Sequence, residues 1–90
     1  MSRPRVLVVG LGDTGVLTAI HLARHDLEVV GVATKPGLVS GQELGLRLAD
    51  PQRWREDYWV DFARYRRLDP VRRLAGRATS LDPAARTVTV

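Results

Sequence analysis

The sequence predicts an α/β fold that begins with a βαβ unit on a parallel sheet. Residues 6–9 form a continuous apolar run, and this run leads directly into a glycine-rich turn. An apolar pattern of helical period and a second valine-rich run follow, so that the unit occupies residues 5–33. Strand, turn, helix and strand over such a distance are typical of βαβ, and the usual right-handed crossover makes the two strands parallel.

The elements of this unit follow from their residue patterns. Residues 6–9 are valine and leucine, which predicts a strand covered on both faces. A helix over about residues 14–24 follows, because apolar residues there recur at spacings of three and four. These apolar residues are Val16, Ala19, Ile20, Ala23 and Leu27. After His25 and Asp26 interrupt the pattern, residues 28–33 are again typical of a strand.

The turn between the first strand and the helix has the form G-x-G-x-x-G. Gly10 permits the tight exit from the strand, Gly12 lets a pyrophosphate approach the backbone, and Gly15 lets the helix pack closely. The N-terminus of the helix offers N–H groups and partial positive charge to phosphates. In this context the turn predicts a Rossmann-like dinucleotide-binding unit, and the alternative is a glycine turn with a structural role only.

Asp13 and Thr14 lie inside this turn and are included in the predicted cofactor loop. A carboxylate at Asp13 repels phosphate, so we expect its side chain to be exposed near the helix N-terminus. Thr14 is expected to cap the helix there.

The residue expected to bind the adenosine ribose is missing. Dinucleotide-binding units usually carry an acid at the end of the second strand, but that position falls on Ala33 or Thr34, followed by Lys35. The ribose then either carries a 2′-phosphate, which favours NADP, or is held by Thr34 and backbone groups alone. A turn at residues 36–37 places Thr34 and Lys35 at the carboxyl edge of the sheet. Both are candidate ligand contacts, although Lys35 is equally explained as an ordinary solvated lysine.

Residues 40–68 form the predicted helical segment. Residues 40–43 match a capping box before three leucines, and Asp50 with Pro51 ends that short helix and begins another. Aromatic residues then recur at spacings of four, four and three, which predicts a single aromatic stripe on one helix. The stripe consists of Trp54, Tyr58, Phe62 and Tyr65. Arginines are interleaved, but acidic residues lie among them, which favours an amphipathic helix on a larger body over nucleic-acid binding.

The remaining residues predict further β structure. Residues 71–75 are compatible with a third short strand, and residues 76–81 and 86–90 flank a turn sequence at residues 82–85. We therefore expect a β-hairpin over residues 76–90. Because the sequence stops within the second arm, residues 1–90 are interpreted as one partial domain, completed by a continuation of the same polypeptide or by another subunit.

Composition narrows the class of protein. The 90 residues carry a net charge of +4, and Lys35 is the single lysine among fourteen basic residues. The absence of cysteine excludes disulfides, thiolate metal sites and cysteine nucleophiles. No signal segment and no apolar run of membrane-spanning length is present, so we expect a cytoplasmic protein without a transmembrane segment. His21 and His25 lack a partner at metal-ligand spacing, and no G-x-S-x-G sequence is present; we predict neither a metal site nor a hydrolase nucleophile.

Residues 6–15 and 76–88 together resemble the amino-terminal part of pyridine nucleotide-disulfide oxidoreductase-like flavoproteins, especially the branch with type II NADH dehydrogenases. The resemblance implies that the glycine turn holds the FAD pyrophosphate and that the backbone of Ala78 faces the adenine. It also implies that NAD(P)H donates hydride in the full-length family. The chain departs from the family in three ways: the acid at Ala33 is missing, as are the second nucleotide domain and a further strand of the FAD sheet.

The expected function is thus the FAD-binding portion of a flavin-dependent NAD(P)H oxidoreductase. In such enzymes the flavin performs the redox chemistry, and no catalytic acid or base can be named in this sequence. The isolated chain is not expected to be catalytically competent. Two alternatives stay open: a non-catalytic NAD(P)-sensing module that controls a partner through the aromatic helix, and a basic interaction domain with a purely structural turn.

Overall fold

The computed structural model describes residues 3–40 and 44–90, and it is a mixed α/β fold. The described residues form one parallel sheet, two antiparallel strand pairs, three α-helices and two short 3₁₀-helices. In chain order the elements are β1 (Arg5–Val9), α1 (Asp13–Leu22), β2 (Glu28–Ala33), β3 (Gly37–Val39), α2 (Leu44–Ala49), α3 (Pro51–Asp57), β4 (Trp59–Asp61), the 3₁₀-helices Phe62–Arg64 and Arg66–Leu68, β5 (Arg72–Ala75), β6 (Ser80–Asp82) and β7 (Thr87–Thr89).

The first three elements form the predicted strand–helix–strand unit. Strands β1 and β2 are parallel, and β2 has the predicted bounds. Helix α1 buries Val16 and Ala19 against the sheet, while Ile20, Ala23 and Leu27 pack at the border of the same core. The apolar spacing of three and four therefore identified the packed face of this helix correctly.

The sheet has the order β1-β2-β5, with all three strands parallel. Strand β5 confirms the predicted third strand. The central strand β2 is buried from Val29 to Val32, whereas β1 at the edge alternates between exposed and half-buried residues. Leu7 and Val9 are 38% and 52% exposed. The prediction that the first strand is covered on both faces is therefore wrong, because α1 packs on one face and β1 has a neighbouring strand on one side.

The core lies between α1, the sheet and the segment that follows β4. Its members are Leu11, Val16, Ala19, Val29, Phe62, Leu68 and Val71. Leu68 ends the second 3₁₀-helix and has no exposed surface. Although the two 3₁₀-helices are short, each contributes one buried side chain to this core, Phe62 and Leu68.

The second predicted helix is much shorter than its aromatic spacing indicates. Helix α3 begins as predicted, with Pro51 at its first turn and the Asp50 carboxylate accepting a hydrogen bond from the Arg53 N–H (3.1 Å). It ends at Asp57, however, and the chain then forms β4, antiparallel to β3. The predicted capping box falls on residues 40–43, of which 41–43 lie outside the described residues.

The single aromatic stripe is therefore wrong. Trp54 lies on α3, Tyr58 is the C-cap residue that follows α3, and Phe62 lies on a 3₁₀-helix beyond β4. The physical reason is that residues 59–61 pair with β3, and Trp59 and Val60 are residue types that favour strands. Tertiary pairing outweighs the helical spacing of the aromatic residues.

The terminal hairpin is confirmed with shorter arms than predicted. Strands β6 and β7 are antiparallel, and the Asp82 carboxylate accepts hydrogen bonds from the N–H groups of Ala84 (3.1 Å) and Ala85 (3.2 Å) in the turn. Most of the hairpin is exposed. As for membranes, the helices within residues 3–40 and 44–90 are all too short or too polar to cross one.

Candidate functional site

A cleft of about 700 Å³ opens at the carboxyl edge of the parallel sheet. Parallel strands end at one edge, so the segments that follow β1, β2 and β5 meet there. Its lining residues in chain order are Val9, Gly10, Leu11, Gly12, Val32, Ala33, Thr34, Lys35, Gly37, Leu38, Val39, Trp59, Gly76, Arg77 and Ala78. A volume of this size is typical of sites for small molecules and cofactors.

The glycine turn forms one side of the cleft. Gly10 has a φ of +96°, a conformation that favours glycine, and its N–H donates to the Val32 carbonyl oxygen (2.8 Å). Gly12 is the N-cap residue of α1, and among the described residues no side chain caps the helix there. A Cβ at Gly12 would meet nothing within 4 Å, so the backbone at this position borders open space. The first-turn N–H groups, which lack partners within the helix, are thus uncapped by a side chain.

Gly15 has a different environment from Gly12. A Cβ at this position would overlap the carbonyl oxygen of Gly10 and lie 3.0 Å from its carbonyl carbon. Helix α1 therefore rests directly on the turn, as expected for the third glycine of the motif. Gly15 lies behind the cleft and is not among its lining residues.

Leu11 fixes the turn to the central strand. It is buried within the core, and its two methyl groups occupy the space beside Gly31. A Cβ at Gly31 would lie 2.9 Å from each of these methyl carbons. Because Gly31 has no side chain, Leu11 can pack directly against β2.

Asp13 and Thr14 do not line the cleft. Asp13 is the first residue of α1, is exposed, and borders a smaller cavity of about 180 Å³ together with Val16 and Leu17. The prediction that Thr14 caps the helix is wrong, because Gly12 occupies the capping position. Thr14 is an exposed helical residue whose carbonyl oxygen accepts a hydrogen bond from the Thr18 hydroxyl (2.8 Å). The helix begins at Asp13, two residues earlier than an N-cap at Thr14 would allow.

The segment after β2 lies where the sequence predicts. Residues 34–36 form a bend, and the side chains of Thr34 and Lys35 are exposed at the carboxyl edge. The Ala33 carbonyl oxygen accepts a hydrogen bond from the Gly76 N–H (2.9 Å), which joins this edge to the start of the residue 76–78 segment. Ala78, expected near the adenine, consequently lines the same cleft.

The charged side chains of the described cleft lining are Lys35 and Arg77, and both are basic. An acid at the position of Ala33 is missing, as the sequence shows. The cleft is therefore suited to an anionic ligand. Arg77 was not predicted to be a site residue. The sequence signal that could have identified it is its position directly before Ala78, which was predicted to lie near the adenine.

Trp59 was also missed. It lies on β4 opposite Val39, lines the cleft, and is 41% exposed. The available sequence signal was the adjacent pair Trp59 and Val60, two residue types that favour strands, but the helical spacing of Trp54 and Tyr58 suggested a helix instead. Trp59 supplies the aromatic surface of the cleft.

Among the predicted cofactor residues, the cleft brings together Gly10, Gly12, Thr34, Lys35 and Ala78. No known protein family, curated protein or solved structure matches the chain. The chemistry of the site therefore has to be argued from its own residues. They offer backbone N–H groups, an uncapped helix N-terminus, two cations and an aromatic ring, which together suit a ligand that carries both phosphate and a planar ring.

Proposed function

We propose that the cleft binds a dinucleotide and that the chain is the FAD-binding portion of a flavin-dependent NAD(P)H oxidoreductase. The observation that carries the proposal is that one cleft joins the glycine turn to the ends of β2 and β5. In open α/β sheets, ligands bind in the crevice outside the carboxyl ends of the strands. The type of site also fits the resemblance of residues 6–15 and 76–88 to flavoproteins.

The pyrophosphate is proposed to lie on the glycine turn. Open space at Gly12 lets a phosphate approach the backbone, and the N-terminus of α1 contributes N–H donors with partial positive charge. Lys35 and Arg77 add two positive charges at the same cleft, which complements the two negative charges of a pyrophosphate. Leu11, anchored in the core, holds the turn in place.

The adenosine half is proposed to extend toward the end of β2. Thr34 supplies a hydroxyl for the ribose in place of the usual acid, and the backbone near Ala78 borders the base. Bound flavin would supply the redox chemistry, accepting hydride from NAD(P)H in the complete enzyme. The described residues contribute binding and orientation, and we assign no catalytic acid or base among them.

The test is whether FAD stabilises the purified chain through the glycine turn. A ligand present at one hundred times its Kd adds about 2.7 kcal/mol to stability, which shifts Tm by roughly 10 °C or more in a domain of this size. Gly12→Val is expected to remove the shift, since the valine side chain fills the space proposed for the pyrophosphate. The variant should still fold, because the φ of −81° at position 12 suits any residue and a Cβ there meets no neighbouring atom within 4 Å among the described residues.

Gly45→Val serves as the matched control. Gly45 lies on α2, and a Cβ there would also meet nothing within 4 Å among the described residues, but Gly45 does not line the cleft. This variant should keep the full FAD shift. Equal stabilisation of Gly12→Val and the parent would contradict the pyrophosphate site, and indifference of the parent to FAD, NAD and NADP would contradict dinucleotide binding altogether.

A second candidate function is an NAD(P)-binding module without flavin. The observation in its favour is that both charged residues of the described cleft lining are cations, while the acid that normally binds an unmodified ribose is missing. A 2′-phosphate would match this arrangement. The aromatic helix expected to transmit a signal to a partner is not formed, so the candidate retains only the binding role. Greater stabilisation by NADP than by NAD or FAD would favour it over the flavoprotein.

A further inference from the structure

The indole of Trp59 is directed into the cleft by the register of the β3–β4 pair. Trp59 lies opposite Val39, and Leu38 lies opposite Val60. Side chains of opposed residues share one face of a strand pair, and neighbouring residues point to opposite faces. Val39 and Trp59 line the large cleft and not the smaller cavity beside α1, Val60 borders that smaller cavity and not the large cleft, and Leu38, at the boundary, lines both. A shift of one residue would move Trp59 to the opposite face of the strand pair, away from Val39 and Gly37.

Gly37 fixes the position of the ring. A Cβ at Gly37 would lie 2.7 Å from Cζ2 and 3.0 Å from Cε2 of Trp59, so the indole packs over the glycine backbone. Trp59 as a whole residue nonetheless stays 41% exposed. The indole is thus supported by the strand at one side and leaves aromatic surface available to the cleft.

We propose that Trp59 stacks on the adenine ring of the bound nucleotide, an inference that rests on the proposed dinucleotide site. With the pyrophosphate on the glycine turn and the ribose at the end of β2, the base continues past the bend at residues 34–36. Gly37, next to Trp59, directly follows that bend. In a dinucleotide the flavin or nicotinamide ring is attached through the second phosphate of the pyrophosphate, so it lies at the opposite end of the ligand from the adenine. Adenine is therefore the planar group within reach of Trp59.

The chemistry of the position suits a purine. A flat aromatic surface gains stacking energy from the base without requiring a particular hydrogen-bond pattern. Because Gly37 already holds the indole, little side-chain freedom is lost when the base binds. Lys35 and Arg77 remain available to the phosphates. Trp59 thereby selects for a nucleotide over a simple phosphate or pyrophosphate.

The experiment uses ADP, which contains the adenine and the diphosphate but no flavin or nicotinamide. In a Trp54→Phe background, Trp59 is the single tryptophan, and ADP should quench its fluorescence. Trp54→Phe removes an indole N–H that has no hydrogen-bond partner among residues 3–40 and 44–90, so it should be tolerated. By calorimetry on the 90-residue chain, Trp59→Leu should weaken binding of ADP and FAD roughly 5- to 150-fold, the range given by base–aromatic stacking.

Two controls separate stacking from folding. Trp59→Phe keeps an aromatic ring and should bind ADP within a few fold of the parent, whereas Trp59→Leu keeps only apolar bulk. Inorganic pyrophosphate should bind the parent and Trp59→Leu equally. Equal ADP affinity of the parent and Trp59→Leu, together with loss of ADP binding in Gly12→Val, would overturn adenine stacking and leave the pyrophosphate site standing. Failure of the parent to bind either ADP or FAD would overturn both.

Discussion

Replacing Gly15 by alanine is expected to destabilise the fold, whereas the same change at Gly12 is expected to be nearly neutral. The two glycines lie three residues apart in one turn, but a Cβ at Gly15 overlaps the Gly10 carbonyl oxygen and a Cβ at Gly12 meets open space. To make room at Gly15, α1 has to move away from the turn by on the order of 1 Å. That movement loosens Val16 and Ala19, which α1 buries in the core.

The magnitude follows from the kind of neighbour. Inserting a methyl group into a filled site costs about 1–3 kcal/mol, and the upper end applies here because the obstacle is backbone, which has no alternative rotamer. The better helix propensity of alanine offsets at most about 1 kcal/mol. A net loss of about 2 kcal/mol is a large part of the roughly 5–13 kcal/mol expected for a chain of this length. Gly12→Ala is expected to cost no more than about 1 kcal/mol, the difference between residues at a helix N-cap.

The assay is urea unfolding followed by circular dichroism, with the parent, Gly12→Ala and Gly15→Ala measured side by side. The midpoint should fall clearly for Gly15→Ala, with little change in the slope of the transition. Coincident midpoints for the two variants would refute the reasoning, since the turn would then tolerate a side chain equally at a packed and at an open position.

Two further predictions concern the core and the charges of the cleft. Leu68→Ala should cost about 2–5 kcal/mol in urea unfolding, because Leu68 has no exposed surface and the 3₁₀-helix around it has little scope to fill the cavity; a loss below that range would mean that the segment repacks. Replacing both Lys35 and Arg77 by glutamine should weaken FAD binding up to roughly tenfold and reduce its dependence on salt, as expected for exposed charges. An unchanged salt dependence in calorimetric titrations would show that these cations do not contact the phosphates.

The first third of the fold could be predicted because its signals are local. The apolar spacing on α1 identifies a helix and the valine-rich run of β2 identifies a strand, without information from distant residues. The glycine turn marks the junction between the first strand and the helix. The aromatic residues of the middle segment misled the prediction for the same reason. Their spacing is helical, but Trp59 and Val60 pair with β3, a partner about twenty residues earlier in the chain, and local spacing carries no information on that pairing.

The candidate site was predictable to the extent that it depends on strand ends. Gly10, Gly12, Thr34 and Lys35 follow from the position of β1 and β2, because the carboxyl ends of parallel strands meet at one edge. Trp59 reaches the same cleft only through the β3–β4 register, which spacing alone does not reveal. The N-cap was predicted at Thr14 but lies at Gly12. Glycine is itself an acceptable N-cap residue, so the sequence did not distinguish the two positions.

The packing of Leu11 beside Gly31 has a consequence for how a ligand would meet the turn. Loops that close around phosphates often become ordered only when the ligand arrives, and part of the binding free energy is then lost to that ordering. Here the turn is already held by a core contact to the central strand, at a point twenty residues away along the chain. Folding of the sheet therefore also orders the glycine turn, and the residue at position 31 influences the proposed ligand site although it does not line the cleft.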